Sequence, residues 1–303
     1  MLSTEPRRLE EKQAQSAPIT NDGNLTIAKA IANLQGDDLG LRVYSAWWLG
    51  RFRVDDPIAV DLLIAALDDE DDRTSAGGYP MRRNAARALG KINNPKAVQP
   101  LIESLGCADF YVREAAAQSL EMLGDRSCLE ALQKLLANQI PGTLPAPEKK
   151  DLAQPYDAIL EALGTLGAVE AIPMIEPFLS HEIERVKFAA ARAMYQLTLL
   201  GENPASANQY GDMLIEGLQH DELQIRRTAL ADVGAIGYFN AAPAIAATLA
   251  ENSLKLISLK GLLEKQIEHN HAQSKMQANS HSDPLLPVSE EMAQVMRFMD
   301  ELL

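Results

Sequence analysis

One eleven-residue pattern, repeated six times, constrains the fold of this chain more than any other feature of its sequence. The copies start at Arg42 (RVYSAWWLGRF), Arg82 (RRNAARALGKI), Arg113 (REAAAQSLEML), Tyr156 (YDAILEALGTL), Lys187 (KFAAARAMYQL) and Arg226 (RRTALADVGAI). Each places small or apolar residues at its fourth, fifth, eighth and eleventh positions, the buried stripe of an amphipathic helix. A second apolar segment follows, such as AVQPLIESL after the second copy and AIPMIEPFL after the fourth. The unit is therefore a helical hairpin.

A lone hairpin cannot bury both apolar faces, so neighbours must stack, and a period in the thirties to forties is that of the HEAT/armadillo class of α-solenoid. Ala and Leu dominate and only 5% of residues are aromatic, a balance that favours helix over sheet. The expected fold is all-α. Residues 1–23 have the polar composition of a disordered segment, and residues 24–265 form the solenoid, with TIAKAIANLQ as a capping helix. Residues 266–288 read as a polar linker and residues 289–303 as an amphipathic helix. The stripe of that helix, Met292, Val295, Met296, Met299 and Leu303, fits either the end of the solenoid or a partner.

Asp38, Asp109 and Glu222 each stand four residues before a copy's first arginine, where a carboxylate can complement a helix start and pair with that arginine. The arginine ladder is thus expected to be structural. Two copies carry extra residues before the next repeat, LDDEDDRTSAGGYPM after the first and NQIPGTLPAPEKKDLAQP after the third. Both insertions leave the same edge of the stack and flank the second and third repeats, so together they can wall a cleft. Trp47 falls in a solvent-facing column that elsewhere holds Arg87, Gln118, Glu161, Arg192 and Ala231. A large aromatic there is either covered by the N-terminal segment or part of a partner or ligand surface.

Other features narrow the chemistry. With 28 Lys and Arg against 42 Asp and Glu the formal charge is −14, which repels nucleic-acid backbones. No apolar run reaches the roughly 20 residues of a membrane helix, and the start MLSTEPRRLEEKQAQ is too polar and acidic for a signal peptide. Cys107 and Cys128 lack C-x-x-C spacing, which suits a reducing compartment, so a cytoplasmic protein is expected. HEIER at His181 lacks the second histidine of a zinc protease, and neither G-x-S-x-G nor a glycine-rich phosphate loop occurs. His269, His271 and His281 lie in the polar linker, without the rigid shell a metal site needs, so no metal is expected.

Several stretches carry a family likeness beyond the generic repeat: YSAWWLGRF from Tyr44, DRTSAGGYPMRRNAARALGK from Asp72, LAQPYDAILEALGTL from Leu152, RVKFAAARAMYQL from Arg185 and AENSLKLISLKGLLE from Ala250. Together, over residues 25–265, they resemble the phycocyanobilin lyase E-type subunit of the cyanobacterial E/F bilin lyases. The resemblance implies a heterodimer with an F-type subunit and a linear tetrapyrrole as substrate, with no permanent cofactor. It also implies an acceptor phycobiliprotein, the phycocyanin α subunit first, whose cysteine thiol adds across the bilin's ethylidene group to form a thioether. Bilin propionates call for arginines, pyrrole N–H groups for a carboxylate, and flat rings for aromatic walls. On that reasoning Asp71, Asp72 and Tyr156 are the candidate catalytic residues, and Arg73, Tyr79, Arg82, Arg83, Gln154 and Trp47 the candidate bilin-binding residues. The competing reading keeps the solenoid without the chemistry, as a scaffold or phycobilisome-disassembly factor of the same repeat class.

Overall fold

The computed structural model describes residues 25–137, 153–201, 204–277 and 289–303. The N-terminal segment, most of the second insertion and part of the polar linker lie outside the described residues. All extended secondary structure within them is helical. A short α1 (Ile27–Leu34) precedes α2 (Leu39–Arg51) and α3 (Pro57–Ala65), α4 (Pro80–Ile92) and α5 (Val98–Ser104), and α6 (Phe110–Leu123) and α7 (Leu129–Ala137). The second half pairs α8 (Tyr156–Thr165) with α9 (Ile172–Ile175), α10 (Glu184–Leu199) with α11 (Asn208–Leu218), and α12 (Leu223–Ile236) with α13 (Ala242–Ala247). The stack ends on α14 (Asn252–Gln277) and α15 (Glu290–Leu302).

Local chemistry sets where these helices begin. Asp38 accepts the Leu41 N–H at 2.9 Å, Asp109 accepts the Tyr111 N–H at 2.8 Å, and Asp56 caps α3 ahead of Pro57 at its first position. Glu222 precedes α12 without a side-chain cap bond. The expected pairing of these acids with the ladder arginines is not what forms. Arg42 bonds Asp69 and Asp71, Arg113 turns to backbone carbonyls, and Arg226 bonds the carbonyls of His220, Asp221 and Leu249. A side chain in the first turn leans back toward the helix N-terminus, so a long arginine passes its own cap and meets the neighbouring junction.

The apolar stripe buries as its period requires: Leu49, Leu89, Leu120 and Leu163, all at the eighth position, are fully enclosed, each contributing about 1.5–3 kcal/mol of transfer free energy. The ninth and seventh positions set how closely repeats approach. A Cβ on Gly50 would stand 2.6 Å from Ala88 Cα, and one on Gly90 2.7 Å from Ser119 Cα, so α2, α4 and α6 touch backbone to backbone. In α6 and α10 the ninth position is Glu121 and Tyr195, and there α8 and α12 stand further off. Close packing resumes between α8 and α10 and between α12 and α14. Helices α2, α4, α6, α8, α10, α12 and α14 together build one face of the stack, the ladder face.

Helices α14 and α15 form a seventh hairpin. Ser258 Oγ donates to Leu230 O at 2.7 Å as Ser119 Oγ donates to Ala86 O at 2.8 Å, the same position of the pattern bonding the same position one repeat earlier. The helix is anchored by buried Leu259 and Leu262 and continues past residue 265, the point at which the linker was expected, to Gln277. Met292 and Val295 bury α15 against this end of the stack, whereas Met296 and Leu303 remain exposed.

Candidate functional site

The first insertion folds onto the N-terminal ends of the ladder helices. Thr74 Oγ1 accepts the Gly78 N–H at 2.8 Å, closing the loop. Asp72 accepts the Met81 N–H at a helix start where Tyr79 offers no cap, and partial burial raises its pKa. Arg82 donates to the carbonyls of Asp69 (2.8 Å) and Asp68 (3.3 Å) and to the Glu70 carboxylate, and lies 4.1 Å from the centre of the Tyr79 ring. Arg73 covers the same ring at 5.4 Å, and the Tyr79 N–H reaches Asp109 at 2.7 Å. Asp71 is exposed and pairs with Arg42 at 3.2 Å. Arg83 lies 5.8 Å from the Tyr111 ring.

Arg113 joins the turn between α5 and α6 to the exit of the second insertion. It is fully buried, and donates to Gln154 Oε1 (2.9 Å) and to the carbonyls of Cys107 (2.7 Å), Ala108 (2.9 Å) and Ala153 (3.0 Å); burial lowers its pKa. Gln154 is enclosed with it. Tyr156 rests half-buried on Phe178 and His181, ring centres 5.1 and 6.2 Å away, and burial raises its pKa. The sequence placed Asp72, Arg82, Gln154 and Tyr156 around an open cleft. The structure instead directs Asp72 and Arg82 into the chain, because orphan N–H groups and carbonyls at helix junctions capture nearby charged side chains first, and turns Gln154 Oε1 onto the buried Arg113 guanidinium.

Trp47 lies elsewhere, on the ladder face. It is 46% exposed, stacks on Tyr44 at 5.6 Å, and borders a groove of about 420 Å³ whose other walls are Asn84, Arg87, Lys91, Gln118 and Met122. Buried Gly50, Ala88 and Ser119 form its floor. Burial and the neighbouring Arg83 cation lower the Arg87 pKa. Of these walls the sequence singled out Trp47 alone, although Arg87 and Gln118 stand in its column.

Further along that column, Arg192 gathers three carboxylates: Glu121 from α6 (3.0 Å), Glu161 from α8 (3.3 Å) and Asp232 from α12 (3.1 Å). Thr165 Oγ1 donates to Glu121 at 2.7 Å. Asp232 Oδ2 and Arg192 Nε are buried without a hydrogen-bond partner. Burial, reinforced by mutual repulsion, raises the pKa of Glu161 and of Asp232. Burial alone pulls Arg192 down, but the three carboxylates outweigh it and hold it above its ordinary value. Sequence reading did not find this group, whose members come from four repeats.

Residues 27–105 and 77–143 match a family model described as HEAT repeats. The phycocyanobilin lyase subunit alpha of Microchaete diplosiphon is 61% identical over 262 residues, 86% of this chain and 88% of that protein. The protein of the same name from Nostoc sp. (strain PCC 7120) is 54% identical over 293 residues, 97% of this chain and 99% of that one. The bilin biosynthesis protein PecE of Mastigocladus laminosus is 44% identical over 245 residues, 80% and 83% of the two chains. Among solved structures, the complex of CpcE and CpcF of phycocyanin lyase from Nostoc sp. PCC7120 aligns with a TM-score of 0.77 at 52% identity, over 95% of this chain and 99% of that one. Shared along nearly the whole solenoid, this likeness shows that the chain belongs to the phycocyanobilin lyase alpha-subunit family, the E-type subunits of the bilin lyases.

Proposed function

We propose that this chain is the E-type half of a heterodimeric lyase that joins phycocyanobilin, through a thioether, to a cysteine of the phycocyanin α subunit, and that the bilin lies in the Trp47 groove. The observation that carries the site is the groove itself. It sets an exposed indole against a phenol ring, places Arg87 and Lys91 where propionates can be held, and adds the amides of Asn84 and Gln118 for the polar edge of a tetrapyrrole. Binding of this kind fixes the conformation in which an acceptor thiol meets the ethylidene carbon, which is how an open surface accelerates an addition. Asp72, Tyr79, Arg82, Arg83, Gln154 and Tyr156 then serve as the rim that keeps the helix starts in register, with Asp71 and Arg73 turned outward toward the F-type subunit or the acceptor.

The test is co-expression with a bilin source, an F-type subunit and candidate acceptors, read by absorption in acid urea. Covalent bilin should appear on the phycocyanin α subunit when both lyase subunits are present, and hardly at all with this chain alone. Trp47→Ala should weaken bilin binding at least tenfold without changing thermal stability. Normal attachment by Trp47→Ala together with failure of Asp71→Asn or Arg73→Ala would move the site to the loop edge. Undiminished attachment by this chain without its partner would overturn the heterodimer reading.

A further inference from the structure

Arg192 and its carboxylates form a niche two charges short of balance. Glu161 and Asp232 share Arg192 Nη1, and Glu121 takes Nη2. Nearby Asp157 is matched by Arg185 at 2.9 Å, and Thr165 and Gln196 add only uncharged groups. Three negative charges around one positive charge, in a place water scarcely enters, do not ionise together; crowded carboxyls of this kind share protons. Asp232 leads independently to the same point. Its side chain is 4% exposed and its Oδ2 has no donor, which a carboxylic acid tolerates far better than a carboxylate.

We propose that this niche is an acid site and that Glu161 passes its proton to the bilin when the acceptor thiol adds, a step that rests on the lyase reading above. Glu161 is the outlet because its side chain is the most exposed of the three carboxylates at 20%, and because it stands in the column of Trp47, Arg87 and Gln118. The groove and the niche adjoin through α6, where Gln118 and Met122 line the groove and Glu121 bonds Arg192. A four-ring chain anchored at Arg87 spans the two helix steps to α8, about 8–10 Å each. In the addition, the sulfur–carbon bond forms at the ethylidene carbon, and the π pair moves into the adjoining ring. The thiol proton leaves to water, and Glu161 protonates the ring carbon that receives the pair. Water then restores the proton to the niche. The sum is S–H added across one C=C bond, with no oxidant or reductant.

Two measurements separate the niche from the lyase reading. Infrared titration of the purified chain should show a protonated carboxyl band at neutral pH that fades as the pH rises and is weakened in Glu161→Gln and in Asp232→Asn. Absence of that band, with circular dichroism showing both variants folded, overturns the acid site. With F-type subunit, bilin and acceptor, Glu161→Gln should slow attachment about a hundredfold or more, flatten the alkaline limb of the pH profile, and leave bilin affinity within twofold by spectral titration. Glu161→Asp should recover part of the rate. A Glu161→Gln chain with an unchanged rate and pH profile, or one whose loss lies wholly in bilin affinity, sinks the proton-transfer role. A wild-type chain that attaches nothing overturns the lyase reading and the transfer with it, while the infrared band still decides whether the niche holds a proton.

Discussion

Arg113 and Trp47 mark the two ends of what a single side chain does here. Arg113, itself fully buried, satisfies three backbone carbonyls and one amide oxygen, so Arg113→Ala should cost about 3–5 kcal/mol in urea denaturation. Arg113→Lys should recover only part, since one ammonium cannot reproduce the planar fork. Asp72 has the smaller task of capping α4: Asp72→Ala should lose about 0.5–2 kcal/mol, and Asp72→Asn much less, because asparagine caps almost as well. The spacing marked the ladder arginines as structural but misidentified their partners, which are carboxylates and carbonyls of neighbouring junctions and not the acids four residues earlier. The role of Asp72 was not legible, because its partner, the Met81 N–H, lies across a loop whose path the sequence does not state.

At the scale of helices, the eleven-residue pattern located α2, α4, α6, α8, α10 and α12, because amphipathic periodicity is a local property. The seventh hairpin escaped because Asn252 and Lys255 break the pattern, although Ser258 and Leu259 keep its seventh and eighth positions. The Trp47 groove was legible only as one conspicuous aromatic, since its walls come from three helices and their register depends on which ninth-position residues are glycine. That dependence gives a direct test. A side chain on Gly90 meets Ser119 atoms at 2.5–2.7 Å, so Gly90→Val should force α4 from α6 and lower stability by about 1–3 kcal/mol or more. The same change should loosen bilin binding by deforming the groove floor, and equilibrium unfolding beside spectral titration would measure both.

For the molecule as a whole, the niche predicts a dependence of stability on pH. Glu161 and Asp232 have folded-state pKa values raised above their unfolded ones, so the folded chain binds more protons. Their contribution is therefore fully present below the unfolded values and is lost as the pH rises through the folded ones. Melting temperatures should fall from about pH 5 to about pH 9, the alkaline end of carboxyl titration in buried sites, and fall less steeply in Glu161→Gln than in the wild type. The general repulsion of a chain carrying a net charge of −14 acts in both proteins and cancels in the comparison.

The uneven spacing of the ladder has a mechanical consequence. Backbone contact makes α2 to α6, α8 with α10, and α12 with α14 three close-packed segments, whereas at Glu121 and Tyr195 the helices of the two seams between them stand further apart. Arg192 bonds to all three segments, through Glu121, Glu161 and Asp232. A force applied at the ends of the solenoid should therefore bend it first at the seams, loading the Arg192 ion pairs together with the thinner packing that crosses them. Arg192 ties the three segments across both seams, so its loss should make the stack more compliant there. Small-angle scattering of Arg192→Met should show a broader spread of end-to-end distances than the wild type, with helix content unchanged.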